Sequence, residues 1–194
     1  PRVAGGALHR SLRLSPVAPS VSIIASTGNN VCLGSNVTFI ATPLNGGSSP
    51  TYQWKKNGVD IAAATSNSYT IPVTVTADAG TYAVVVSGTC TPAVTSIASV
   101  LTINQQPEII TGPASQAVCA GQSVTFTVNA GVTTGVSYQW RKGGVNIGGA
   151  TGSSYTIPVT VAGDAGSYNV IVSGTCTPPL TSASAVLTID ALPS

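Results

Sequence analysis

Charge is what this sequence most lacks. Of 194 residues only 6% are Asp, Glu, Lys or Arg, against roughly 25% in an ordinary soluble domain. The formal net charge is +2, and its placement matters more than its size. Arg2, Arg10 and Arg13 lie in the first twenty residues, which hold no acid. Beyond them Lys55, Lys56, Arg141 and Lys142 are set against Asp60, Asp78, Glu108, Asp164 and Asp190. That near-balance excludes a basic track for nucleic acid and a dense acidic set for calcium. No apolar run approaches the ~18 residues of a membrane-spanning helix, so no membrane insertion is expected. Methionine is absent and the chain opens on Pro1. It is expected to be a processed product or a fragment, from which any signal peptide has already gone. Histidine occurs once. His9 sits in the basic leading segment without a nucleophile motif around it, and reads as a solvent-exposed residue.

Helix formers in periodic runs are also missing. Thr, Ser, Gly and Val take their place, a mix suited to short strands joined by turns. The dominant feature is an internal repeat. "SYTIPVTVTADAGTYAVVVSGTC", Ser68 to Cys90, returns as "SYTIPVTVAGDAGSYNVIVSGTC", Ser154 to Cys176, with 18 of 23 positions identical. Cys32 matches Cys119 at an offset of 87; Trp54 and Trp140, Asp78 and Asp164, Tyr82 and Tyr168, Cys90 and Cys176, and Pro107 and Pro193 match at 86. One residue is therefore lost between Cys119 and Trp140. The chain is expected to be two units of a longer array, or the ordered part of a larger protein.

Within each unit the apolar residues alternate with period two. Val37, Phe39 and Ala41 oppose Thr38, Ile40 and Thr42; Val124, Phe126 and Val128 oppose Thr125, Thr127 and Asn129. Tyr52 shares a face with Trp54, Tyr138 with Trp140, and Tyr82 with Val84 and Val86. Turn signals divide the runs at Asn45-Gly46-Gly47, Asn57-Gly58, Gly143-Gly144 and Gly148-Gly149, of which Asn57-Gly58 is a hairpin signal. The pattern predicts an all-β protein with about seven strands per unit, packed as an antiparallel sandwich. The expected division is a strand-like segment 1–20, a first domain 21–104, a linker 105–107, a second domain 108–190 and a C-terminal linker 191–194.

A strand "GxxVTF", a strand "YQWxK" and a corner "DAGxY" together resemble the immunoglobulin superfamily over about residues 21–103 and 108–190. The resemblance implies two tandem immunoglobulin-like β-sandwiches. It implies that Trp54 and Trp140 are core residues rather than sugar-stacking platforms. It also implies that Tyr82 and Tyr168 send their hydroxyls to backbone at a corner held by Asp78 and Asp164. The chain departs from the family at its cysteines. The positions of the central bridge hold Ala41 and Val84, and Val128 and Val170, so aliphatic packing replaces that bridge. Cys32 instead precedes one core strand, and Cys90 follows another, near one end of the sandwich. Of the three pairings that four cysteines allow, Cys32–Cys90 with Cys119–Cys176 is expected, because each unit then closes by itself. Each bond would close a loop worth roughly 4 kcal/mol in loop entropy. Even, regularly placed cysteines imply an oxidising, extracytoplasmic location. Without CxxC or paired histidines, zinc is the weaker reading.

The shifted cysteines, with "YQWxKxGxxI" and "DAGxYxVxVSGxC", resemble immunoglobulin-like repeats of large bacterial surface and secreted proteins, typically of the Bacteroidota. That resemblance implies adhesins, stalks and filaments, with the repeats as spacers. No catalytic set, metal site or cofactor is expected. Asp60, Glu108 and Asp190 lack partner carboxylates, and there is no phosphate or calcium loop. Asn36-Val37-Thr38 fits a glycosylation sequon but reads as a strand start, and Lys55 faces away from the core side of its strand, against an isopeptide bond with Asn57. In the leading segment Leu8, Leu12 and Leu14 alternate with His9, Ser11 and Arg13. With Arg10 and Arg13 they form a candidate assembly strand that adds to a sheet edge, in cis or on a neighbouring copy. The expected partners are thus other copies of the chain or neighbouring repeats, and the near-neutral surface favours side-by-side association. A glycan- or protein-binding adhesion module is the alternative, and it lacks an exposed aromatic cluster.

Overall fold

The computed structural model describes residues 18–45, 47, 49–89 and 92–191. The candidate assembly residues Leu8, Arg10, Leu12, Arg13 and Leu14, and also His9 and Cys90, lie outside the described residues.

The described residues are all β apart from two single 3₁₀ turns. In the first repeat the strands are β1 (Ser20–Ala25), β2 (Asn30–Cys32), β3 (Val37–Leu44), β4 (Thr51–Lys56), β5 (Val59–Asp60), β6 (Ser68–Ile71), β7 (Gly80–Ser87), β8 (Val94–Thr95) and β9 (Ser99–Asn104). One sheet runs β1-β3-β6; the other runs β2-β9-β7-β4-β5, with β8 also on β7. In the second repeat the strands are β10 (Gln116–Cys119), β11 (Val124–Thr127), β12 (Ser137–Lys142), β13 (Val145–Asn146), β14 (Ser154–Ile157), β15 (Gly166–Ser173), β16 (Leu180–Thr181) and β17 (Ala185–Asp190). Here the sheets are β11-β14 and β10-β17-β15-β12-β13, with β16 on β15.

The described residues thus hold nine and eight strands rather than about seven. Each repeat includes two two-residue strands: β5 and β13 after the hairpin turns, and β8 and β16 against β7 and β15. The first repeat has one strand more than the second because its leading strand breaks at Thr27-Gly28 and changes sheet, as β1 then β2. In the second repeat a single bridge, Thr111 to Asn129, stands in place of β1. The sheets are also not wholly antiparallel. β2 lies parallel to β9, with Cys32 opposite Asn104, and β10 lies parallel to β17, with Cys119 opposite Asp190. The leading strand of a repeat crosses onto the sheet of its last strand and runs in the same direction beside it.

The alternation read from the sequence sets the core. Val37, Phe39 and Ala41 point inward, and Ile40 and Thr42 outward. Trp54, Tyr82, Phe39 and Leu101 are buried in the first repeat, and Trp140, Tyr168, Phe126 and Leu187 in the second. Four rings meet in each core. Phe39 stacks on Tyr82 with centroids 4.6 Å apart, and Trp54 and Tyr69 close the cluster at 6.1–6.3 Å. Phe126, Tyr168, Trp140 and Tyr155 repeat it, with the stacked pair at 4.8 Å. Each indole is satisfied as well as buried: Trp54 Nε1 donates to Ser66 O at 3.0 Å and Trp140 Nε1 to Gly152 O at 2.9 Å. Trp54 stands opposite Val84 and Trp140 opposite Val170, the places where aliphatic packing was expected in lieu of a central bridge.

By contacts the chain forms two compact units, which do not follow the repeat boundary. One comprises the described residues up to Ile24 with Phe39–Tyr69 and Thr81–Ser99; the other comprises Ala25–Thr38, Thr70–Gly80 and the chain from Val100 onward.

Replacing Trp140 with Ala removes a fully buried indole and its hydrogen bond. It is expected to destabilise the second sandwich by about 3–5 kcal/mol, measured by urea unfolding. A loss within experimental error would show that the ring cluster does not hold the core.

Candidate functional site

Two local structures use the residues singled out by the sequence: the corner before β7 and β15, and the neighbourhood of the cysteines.

The corner explains the motif "DAGxY". A 3₁₀ turn covers Thr76–Asp78 in one repeat and Ala162–Asp164 in the other. Its aspartate folds back, so that Asp78 Oδ2 accepts the Val75 N–H at 2.8 Å and Asp164 Oδ2 the Val161 N–H at 2.9 Å. Gly80 and Gly166 then take φ of +148° and +142°, a region that L side chains rarely enter. Tyr168 Oη donates to Asp164 O at 2.8 Å, the tyrosine-corner bond. Burial, then the Asp164 charge, then Tyr155 push the Tyr168 phenol up to about 12, and burial followed by Asp164 raises that of Tyr155 as well. Lys142 Nζ lies 5.6 Å from the Tyr168 ring centroid. Every group here is spent on holding the chain, and both aspartates serve the turn.

The cysteines are arranged differently from expectation. Cys32 is bonded to Cys176, with Cα atoms 5.8 Å apart and a sequence separation of 144. Cys119 is a free, exposed thiol. The within-repeat pairs Cys32–Cys90 and Cys119–Cys176 are therefore corrected: the bond joins one repeat to the other. The reason lies in the strand pairing. β2 runs parallel to β9, so Cys32 comes level with Asn104, the last residue of the first repeat's last strand. It stands where the chain leaves the first repeat. Cys176, buried to 1% exposure, follows β15 and lies 3.6 Å from Asn104 O through its sulfur.

Other residues tighten this clamp. Asn104 is buried and its side-chain amide donates to Asn30 Oδ1. The Leu33 N–H donates to Asn104 O at 3.0 Å. Gln105 N donates to Thr134 Oγ1 at 2.9 Å, its amide reaches Thr76 Oγ1 at 3.2 Å, and Glu108 N donates to Thr133 Oγ1 at 3.2 Å. Thr175 N donates to Thr134 O at 2.8 Å. A Cβ at Gly174 would come within 2.9 Å of Thr134 O, so the turn before Cys176 has no room for a side chain. All of these residues belong to the compact unit built from Ala25–Thr38, Thr70–Gly80 and the chain from Val100. Asn104, Gln105, Thr133, Thr134 and Gly174 were not legible as site residues. One signal was present: the residue lost between the repeats falls between Cys119 and Trp140, the interval that holds Thr133 and Thr134.

Among the described residues no group of three or more His, Cys, Asp or Glu could hold a metal ion. Lys55, considered for an isopeptide bond, pairs with Asp60. Asn36 is exposed immediately before β3. A groove of about 360 Å³ lined by Ile109, Gly112 and Leu180–Ala183 carries no ionisable side chain. Among the described residues no helix is long and apolar enough to cross a membrane.

Comparison with known proteins agrees with this architecture. No protein-family model matches the chain. It is 44% identical over 61 residues to a decoration protein of Escherichia phage T5, a stretch that is 31% of this chain and 37% of that protein. The matched stretch thus spans little more than a third of that relative's length. Among solved structures, the N-terminal eight Ig domains of the Down syndrome cell adhesion molecule superpose with a TM-score of 0.70 at 14% identity, over 89% of this chain and 25% of that one. An I-band fragment of titin gives 0.66 at 15% identity, over 90% and 67%. At such identities the likeness is one of fold, and the fold is that of two tandem immunoglobulin-like β-sandwiches.

The raised Tyr168 phenol predicts an alkaline limit. An unfolded tyrosine ionises near 10, whereas folded Tyr168 holds its proton to about 12. Its contribution is fully present below the unfolded value and is lost as pH rises through the folded one. Urea unfolding followed against pH should show stability falling between about pH 10 and 12. Tyr168→Phe should remove that part of the fall and cost about 1 kcal/mol at neutral pH. An unchanged alkaline profile in the variant would exclude Tyr168 as its cause.

Proposed function

We propose that the chain is a non-enzymatic extracellular structural protein, whose immunoglobulin-like repeats space and display other parts on an outer surface. The observation that carries this reading is the clamp of Cys32, Cys176, Asn104 and the 105–108 segment. Its covalent and hydrogen bonds tie consecutive repeats to each other, an arrangement suited to bearing load along a chain. A disulfide suits an oxidising location outside the cytoplasm. The local identity to a phage decoration protein adds support for a place on an exposed surface. A stalk, adhesin or filament on a bacterial cell uses the same properties.

In the filament form, residues 1–19 join copies head-to-tail by β-strand addition, with Leu8, Leu12 and Leu14 seated in an edge groove and Arg10 and Arg13 at its rim. Alternating apolar and polar residues in "LHRSLRL" support this. The chain's partners are then copies of itself. Negative-stain microscopy of the purified chain, with Cys119 alkylated so that strand addition alone is read, tests this form. Filaments are expected from the full chain and not from a chain lacking residues 1–19. Isolated particles in both samples would overturn the filament form and leave a spacer.

A further inference from the structure

The hairpin between β4 and β5 carries a reactive group that its counterpart in the second repeat lacks. Asn57 and Gly58 form its turn, with φ of +51° and +82°. Gly143 and Gly144 form the matching turn, at +55° and +83°. A two-residue turn of this kind needs positive φ at both places, which asparagine and glycine supply. Both turns are anchored alike: Asn57 N donates to Thr81 O and Gly143 N to Ser167 O, each at 2.8 Å. The difference is one side chain, a primary amide at Asn57 where Gly143 has none. Asn57 and Gly58 are both exposed. Nothing lies within 4 Å of the place a Cβ would take at Gly58, so no side chain shields its nitrogen. The amide of Asn57 is held in place, since its Oδ1 accepts the Thr81 N–H at 2.9 Å and the Thr81 hydroxyl at 3.3 Å. Two donors on one carbonyl oxygen draw electrons from Cγ and stabilise negative charge that develops on that oxygen.

From this arrangement we propose that Asn57 is a site of spontaneous deamidation in the folded chain, and that the hairpin of the first repeat is modified with age while that of the second is not. Hydroxide takes the proton of Gly58 N, and the nitrogen attacks Asn57 Cγ. An N–C bond forms, and the negative charge passes to Oδ1 between the two Thr81 donors. The bond from Cγ to Nδ2 then breaks, and Nδ2 takes a proton from water and leaves as ammonia. A second water opens the resulting succinimide ring at either carbonyl. Opening at Cγ leaves an ordinary aspartate; opening at the main-chain carbonyl leaves an isoaspartate, whose main chain runs through Cγ. The net change is one water consumed and one ammonia released, with no oxidant or reductant. An aspartate keeps an acceptor for Thr81 and adds a carboxylate that is ionised at neutral pH, in a chain of which only 6% is charged. An isoaspartate lengthens the turn by one main-chain atom, which disturbs the pairing of Lys56 with Val59 and of Lys55 with Asp60. The inference stands apart from the extracellular structural reading and does not rest on it.

The test ages the full chain in warm, mildly alkaline buffer beside its Asn57→Gln and Thr81→Val variants, each first shown to be folded by circular dichroism. Digestion and mass spectrometry should show a gain of one mass unit on the peptide that carries Asn57, and isoaspartyl methyltransferase should label that peptide. Asn57→Gln should show no gain there over the same period, because its longer side chain must close a larger ring. Thr81→Val removes the hydroxyl donor and keeps the N–H. It should slow the gain by roughly two- to tenfold, the worth of one ordinary hydrogen bond. A sample aged in urea reads the same peptide without the fold. An Asn57 peptide that gains mass only in urea would overturn the proposal, because the fold would then protect the amide. Ageing of Thr81→Val as fast as the wild type would overturn it too, because the two donors would then do nothing for the reaction.

Discussion

The covalent bond between Cys32 and Cys176 is the constraint on which the rest of the architecture turns. It closes a loop of 144 residues, which on loop entropy alone removes about 5 kcal/mol of freedom from the unfolded chain. A bond that closed a single sandwich would stabilise that sandwich and nothing else. This one fixes the place where the first repeat ends and the second begins. It is supported by Asn104, Gln105 and Glu108 on one side and by Thr133, Thr134 and the Gly174 turn on the other.

Cysteine is free for this duty because neither core needs it. In each sandwich a tryptophan, a phenylalanine and two tyrosines pack together, and the positions of the family's central bridge are filled by Ala41 and Val84 or Val128 and Val170. Buried serines complete the backbone pairing of β7 and β15: Val84 N donates to Ser96 Oγ and Val170 N to Ser182 Oγ, both at 3.1 Å. With charge nearly absent, ion pairs add little. The exposed Lys55–Asp60 pair is of a kind that contributes at most about 1 kcal/mol. Apolar burial and turn geometry carry each fold, while sulfur and a few polar side chains carry the connection.

Much of this was legible in the sequence. Period-two alternation placed Val37, Phe39 and Trp54 inside, and the corner motif identified Tyr168 and Asp164 with their roles, because those features depend on residues close in the chain. Tyr69 and Tyr155 stand in no motif that marks a core ring, and only packing reveals them as the fourth ring. The sheet change at Thr27-Gly28 was hidden for a related reason, since a strand that switches partners keeps its local pattern. The disulfide pairing was misread because sequence spacing favours the shortest independent closure. What decides it is the parallel register that brings Cys32 level with Asn104, a long-range fact with no local signature.

The most direct test of the clamp is a disulfide map of the intact chain, digested without reductant after free thiols are blocked at acidic pH. The account predicts one linked pair containing Cys32 and Cys176, with Cys119 alkylated in freshly prepared monomer. Linked pairs Cys32–Cys90 and Cys119–Cys176 would contradict it, and would make each repeat a separately closed unit with no covalent tie to its neighbour beyond the backbone.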